Sequence, residues 1–252
     1  MDDASDIIVD ANGHAPLPVE PEEAWAKPVS RVTVGGISSQ AINLNVEGRP
    51  ISGPLQGFGQ MWQKTFRVRL SGSPAAPEQV VSTWKANFSE FWPKGNTLFA
   101  PLTGIAPGEV AVINSEFPGG VVLSTGVRVI YSDAVSFSFM TIKGHPWSAM
   151  ITFSAFEEDQ FTVAQVHFLI RANDPLYEII MHLGGHEKEN KFWVETLTNL
   201  AAHFGVQGQV IQSASCVDPR LQWWEARNIF QNAAIRSAFY TPVRLARKAF
   251  VK

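Results

Sequence analysis

Residues 135–170, VSFSFMTIKGHPWSAMITFSAFEEDQFTVAQVHFLI, hold three segments in which large apolar side chains fall at every second position. Phe137 and Phe139 share one face of the first segment, Ile151 and Phe153 of the second, and Val166, Phe168 and Ile170 of the third. Period-two alternation is the pattern of a half-buried strand, because successive side chains on a pleated backbone point to opposite faces. Gly144-His145-Pro146 and Glu157-Glu158-Asp159-Gln160 separate the segments and suit hairpin connections. A slip of one residue would bury His167 in place of Val166 and Phe168, so the register is well specified.

The same alternation extends upstream through 109–116 and 121–131, linked by Pro118-Gly119-Gly120 and Ser132-Asp133. Val127 and Val129 take the inward positions there, with Arg128 between them facing out. Sequential hairpins predict an antiparallel meander. A further strand begins at about Met61, with Phe66, Val68 and Leu70 on one face and Arg67 and Arg69 on the other. Pro77-Glu78 then opens one amphipathic helix or two short ones, whose apolar residues Val80, Val81, Trp84, Phe88 and Phe91 recur at helical spacing before Pro93 ends the run. Downstream, Asp174-Pro175 is an N-cap and first-turn pair, which accounts for Asp174 without a catalytic role. Gly184-Gly185 break that helix. A longer one from His186 to Phe204 places Trp193, Leu197, Leu200, Ala201 and Phe204 on one stripe, and Gly205 stops it.

The order strand, helix, antiparallel strands, long helix over 61–205 resembles the helix-grip fold of the START-like superfamily, polyketide cyclase-like (SRPBCC) members included. The stretch Phe137 to Pro146, followed by Ile151-Thr152-Phe153-Ser154, is similar to poorly characterised members with a Gly-His-Pro turn. The resemblance implies an α+β fold in which a curved antiparallel sheet wraps a long C-terminal helix. It also implies a cavity between them that takes an apolar small molecule or a lipid. Val129, Phe137, Phe139, Phe153, Phe168, Trp193 and Leu197 are the expected lining. A solid core of the same rings is the competing expectation. A cyclase-like or hydrolase-like enzyme acting on a polyketide-type substrate is the alternative function, with His145 as candidate proton shuttle.

Composition and motifs exclude more than they assign. The 252 residues carry a net charge of -3, which argues against a nucleic-acid partner. One cysteine, Cys216, excludes an internal disulfide framework. His182 and His186 have metal-like spacing, but Gly184-Gly185 intervene, and no metal site is expected. The glycines of 53–59 fail the phosphate-loop patterns, so no cofactor is expected either.

Charge is polarised along the chain. Residues 1–50 hold eight acids against three bases, whereas 206–252 hold seven bases against two acids. The first 60 residues read as an acidic Pro/Gly-rich arm, with poor order expected in the first 30. Residues 206–252 read as a basic aromatic helical tail. In that tail Arg220, Trp223, Trp224, Arg227, Phe230, Arg236 and Phe239 interleave cations with rings. Such a segment, from 219 to 252, suits peripheral membrane contact, a second subunit, or the chain's own sheet. Nothing at the amino terminus reads as a secretory signal, and a cytoplasmic protein is expected.

Overall fold

The computed structural model describes residues 22–117 and 120–250. Its strands are β1 (Met61–Arg69), β2 (Asn96–Phe99), β3 (Val110–Phe117), β4 (Val121–Ser132), β5 (Ser136–Thr141), β6 (Trp147–Glu158), β7 (Phe161–Ala172) and β8 (Val210–Asp218). Its helices are α1 (Pro77–Ala86), α2 (Pro175–Ile180), α3 (His186–His203) and α4 (Ala233–Phe250). The strands form one curved sheet in the order β2-β3-β4-β5-β6-β7-β1-β8, each neighbouring pair antiparallel. This is the α+β helix-grip arrangement, and the expected registers hold. Phe137 faces Phe153, Ile151 faces Phe168, and Val129 faces Phe139. At the β6–β7 turn Asp159 and Gln160 both have positive φ, as a type I′ hairpin turn requires.

The inner face of the sheet is covered by α1 and α3. Val80, Val81 and Trp84 of α1 and Trp193, Leu197, Leu200 and Ala201 of α3 are buried in one cluster with the inward strand residues. Asp174 caps α2, its Oδ1 accepting from the backbone N–H groups of Leu176 and Tyr177 at 3.0 and 3.1 Å. Between α2 and α3, Met181–Gly185 forms a kinked π-turn in which Gly184 takes φ +102°, open to glycine without cost.

The outer face carries a second layer. The arm from residue 22 to 60 crosses β3 to β5, burying Val32 and Val46 against Val110, Val112 and Ile142. The β-prone pieces Arg31–Val34 and Ile42–Val46 lay this arm down without joining the sheet. Of the 30 residues expected to lack order, 1–21 lie outside the described residues. Residues 22–30 are placed, with the Trp25 ring 4.6 Å from that of Tyr131 and the Ala26 N–H donating to Ile130 O at 2.9 Å.

The stretch 206–252, expected as a basic aromatic helical tail, begins with a strand. Val210–Asp218 extends the sheet as β8, pairing with β1, so the boundary at 205 falls inside the sheet. Its side chains are mostly exposed, which is why apolar alternation did not announce it. Beyond it, a 3-10 helix (Trp223–Gln231) and α4 pack on the outer face, α4 against β4. Gly144 of the Gly-His-Pro turn makes that close approach possible. It has φ +97°, a Cβ there would lie 2.2 Å from the Gln231 carbonyl oxygen, and its own carbonyl accepts from Ala233 N–H at 2.9 Å.

Candidate functional site

The seven residues expected to line a cavity are brought together, and they pack as a core. Phe137 and Phe153 stack with ring centroids 4.8 Å apart, and Trp193 sits 5.7 Å from Phe153 and 5.8 Å from Phe168. Phe139 lies 5.3 Å from Phe153, while Val129 and Leu197 are buried in the same cluster. These rings are more volume than one helix on one sheet encloses. A second inner segment absorbs it: Trp84 of α1 lies 5.3 Å from Phe153, and Phe88, in the 3-10 turn Phe88–Phe91 that follows α1, lies 5.0 Å from that ring and 5.3 Å from Phe139. A large open volume, about 640 Å³, lies elsewhere, in a cleft bounded by Leu55, Met61, Arg171, Asp218 and Leu221 where the tail meets β1, β7 and β8. Arg171, buried at its floor, donates to Asp218 Oδ2 at 2.5 Å, and Asp218 also accepts from Arg220 Nε at 2.9 Å. The bonds to Arg220 and then Arg171 hold the Asp218 carboxyl far below the usual carboxylate range.

At one end of the ring-filled grip the inner face turns polar. Lys64 stands on β1 two residues before Phe66 and four before Val68, so the pleat sends its side chain inward with theirs. It is 2% exposed. Its Nζ donates to Glu189 Oε2 at 2.7 Å and to Asn190 Oδ1 at 2.9 Å, and lies 3.3 Å from His186 Nδ1. His186, Glu189, Asn190 and Trp193 occupy positions i, i+3, i+4 and i+7 of α3, so this cluster continues the apolar stripe of that helix by one turn. The rings of Trp62 and Trp147 flank His186, at 5.2 and 5.9 Å. Glu189 is 8% exposed at its side chain, and while Oε2 meets Lys64, its Oε1 is buried without a hydrogen-bond partner. A buried carboxylate oxygen left unpaired costs about 1–3 kcal/mol or more. Sequence reasoning missed this site. The signal was present in both patterns, since Lys64 is in phase with Phe66 and Glu189 in phase with Trp193, but it takes the fold to show that the two phases meet.

His145 is engaged within its own turn. The Trp147 N–H donates to its Nδ1 at 3.0 Å, and burial pushes its pKa down to about 4, the Trp147 backbone contact opposing. Among the described residues no carboxylate or hydroxyl bonds to it, so the partner that a proton shuttle needs is not in place. His182 meets Glu178 Oε1 through Nε2 at 3.2 Å on the exposed side of the π-turn, apart from His186.

No protein-family model and no curated protein matches the chain. The likeness is to solved structures, over rather more than half of the chain. Protein Ms6760 from Mycobacterium smegmatis is similar at 14% identity with a TM-score of 0.41, covering 57% of this chain and 90% of that one. The di-domain ARO/CYC StfQ from the steffimycin biosynthetic pathway is similar at 8% identity and a TM-score of 0.45, covering 58% of this chain and 53% of that one. Ara h 8.0201 is similar at 13% identity and a TM-score of 0.40, covering 56% of this chain and 97% of that one.

Proposed function

We propose that the chain binds a small molecule with an apolar body and one hydrogen-bond-donating group, admitted at the Lys64–Glu189 end of the packed layer between sheet and α3. The observation that carries this reading is the buried, unpartnered Oε1 of Glu189 beside aromatic walls. Ligand sites are mostly apolar with a few converging polar groups, and this is where such groups converge on the inner face. A ligand hydroxyl donating to Oε1 would complete the polar cluster, and its hydrocarbon would lie against Trp62 and Trp147. Entry needs those two rings and the π-turn to give way. That turn presents Leu183, 80% exposed, and the preceding Ile179 and Ile180 to solvent, as a segment that closes over apolar material would.

The test is extraction and mass spectrometry of the purified protein, followed by tryptophan-fluorescence titration with sterols, fatty alcohols and aromatic polyketides and with their hydroxyl-free counterparts. Saturable quenching by the hydroxylated members, weakened about tenfold or more in Glu189→Gln but not in Leu221→Glu of the outer cleft, supports it. No co-purified species and no saturable quenching overturns ligand binding, and binding sensitive to Leu221→Glu moves the site to the cleft.

A further inference from the structure

The outward side of the C-terminal tail is a row of rings and cations. In the 3-10 helix Trp223–Gln231 three residues make a turn, so side chains three apart stack in columns. The column Glu225, Asn228, Gln231 faces the body. Glu225 pairs with Lys143 at 3.3 Å, Asn228 donates to the carbonyls of Gln56 and Asn173 at 2.9 and 2.8 Å, and Gln231 accepts from Arg49 at 3.0 Å. The column Trp224, Arg227, Phe230 faces solvent, with Trp224 74% and Phe230 84% exposed and the Arg227 guanidinium 4.6 Å from the Trp224 ring centroid.

The next helix repeats the division. Ala233, Ser237 and Thr241 of α4, spaced four apart, are buried, while Arg236, Phe239 and Val243 are exposed, Phe239 by 81%. Arg49 has both Arg236 and Arg31 for neighbours: burial first, and then the charges of those two guanidinium groups, lower the Arg49 pKa. Of the nearby acids, Glu225 is paired with Lys143, while Glu47 accepts from the Val34 N–H at 2.7 Å and keeps its charge, one acid against the three arginines.

We propose that this face is a peripheral docking surface for an anionic lipid bilayer, with Trp224, Phe230 and Phe239 entering the interface and Arg227 and Arg236 meeting lipid phosphates. Rings that combine apolar bulk with a cation beside them suit the headgroup boundary, and each basic residue near an anionic surface strengthens attachment. A second copy of the chain fits the face poorly, because a two-fold interface would lay this cationic patch on its own copy, with like charges across from each other. No described helix is long and apolar enough to cross a membrane, so contact is from one side.

The full chain is sedimented with vesicles of phosphatidylcholine alone and with vesicles that also contain phosphatidylglycerol. Partitioning onto the mixed vesicles is expected to exceed that onto phosphatidylcholine by about tenfold or more and to weaken as salt rises. Trp224→Ala with Phe230→Ala, and separately Arg227→Gln, are expected to cut it by about tenfold with an unchanged circular dichroism spectrum, since the side chains are exposed. Absence of partitioning, equal partitioning onto both vesicles, or variants that partition like the parent overturns the proposal. So does self-association in sedimentation velocity that Trp224→Ala abolishes.

Discussion

The two faces of one sheet are covered by different chemistry. On the inner face α1 and α3 bring rings to rings: Phe137, Phe153, Phe88, Trp84 and Trp193 form a continuous set of contacts with centroids about 5 to 6 Å apart. On the outer face the apolar contact is smaller, Val32 and Val46 of the arm on Val110, Val112 and Ile142, and amides and hydroxyls tie the arm and tail down beside it. Asn45 Nδ2 donates to Ser124 O at 2.9 Å, Arg236 Nε to Asn45 Oδ1 at 2.8 Å, Asn232 Nδ2 to Asp174 Oδ2 at 2.9 Å, and Ala234 N–H to the Tyr177 hydroxyl at 3.0 Å. Apolar burial is non-directional and scales with area, so the inner layer depends on volume. Hydrogen bonds depend on a partner's presence, so the outer layer depends on individual residues at large sequence separations.

Volume loss should therefore hurt most inside. Phe153→Ala removes a ring that touches Phe137, Phe88, Trp84 and Trp193, and is expected to cost about 3–5 kcal/mol in urea unfolding. A loss under about 1 kcal/mol would mean that the inner face holds slack after all. The polar end of the grip should behave oppositely to its surroundings. Lys64→Met alone leaves Glu189 buried without its cation and is expected to cost about 3–5 kcal/mol, whereas Lys64→Met with Glu189→Leu should return close to the parent or above it. A double variant as unstable as the single one would show that the pair itself, and not the unpaired charge, governs stability there.

His145 sharpens the comparison by pH. Its pKa in the folded chain is about 4 against an ordinary 6.5, so between those values the unfolded chain binds a proton that the folded chain refuses. The stability linked to this histidine is complete above pH 6.5 and declines as pH falls towards 4, by up to about 3 kcal/mol. His145→Gln should flatten that part of the stability curve relative to the parent, read by thermal unfolding at several pH values. A parallel curve would place the histidine in water. The smallest effect belongs to the outer ties: Asn232→Ala should cost about 1–3 kcal/mol and loosen the tail, seen as faster hydrogen exchange in α4 than in α3.

The fold was legible because its signal is local. Period-two alternation in 135–170 and the stripe Trp193, Leu197, Leu200 each report a face within a single segment, and both faces proved to be the inner one. The candidate site was not legible, because Lys64 and Glu189 are 125 residues apart and each alone reads as an ordinary charged residue. His145 reads from the sequence as a candidate proton shuttle, yet its turn serves the tail, with Gly144 beneath Gln231 and Ala233.

The acidic arm and basic tail were visible as composition, and so were the rings of Trp224, Phe230 and Phe239, whose exposure depends on which side of each helix meets the sheet. The sequence by itself determined the strand registers, the caps at Asp174 and Gly205 and the ring-rich inner face, because alternation, helical spacing and capping act between near neighbours. Only the tertiary structure decided that α1 fills the grip, that β8 extends the sheet, and that a lysine and a glutamate meet inside it. Those outcomes are set by how much volume distant segments bring to a shared space and by which buried charges find a partner, and neither quantity exists until the segments are packed.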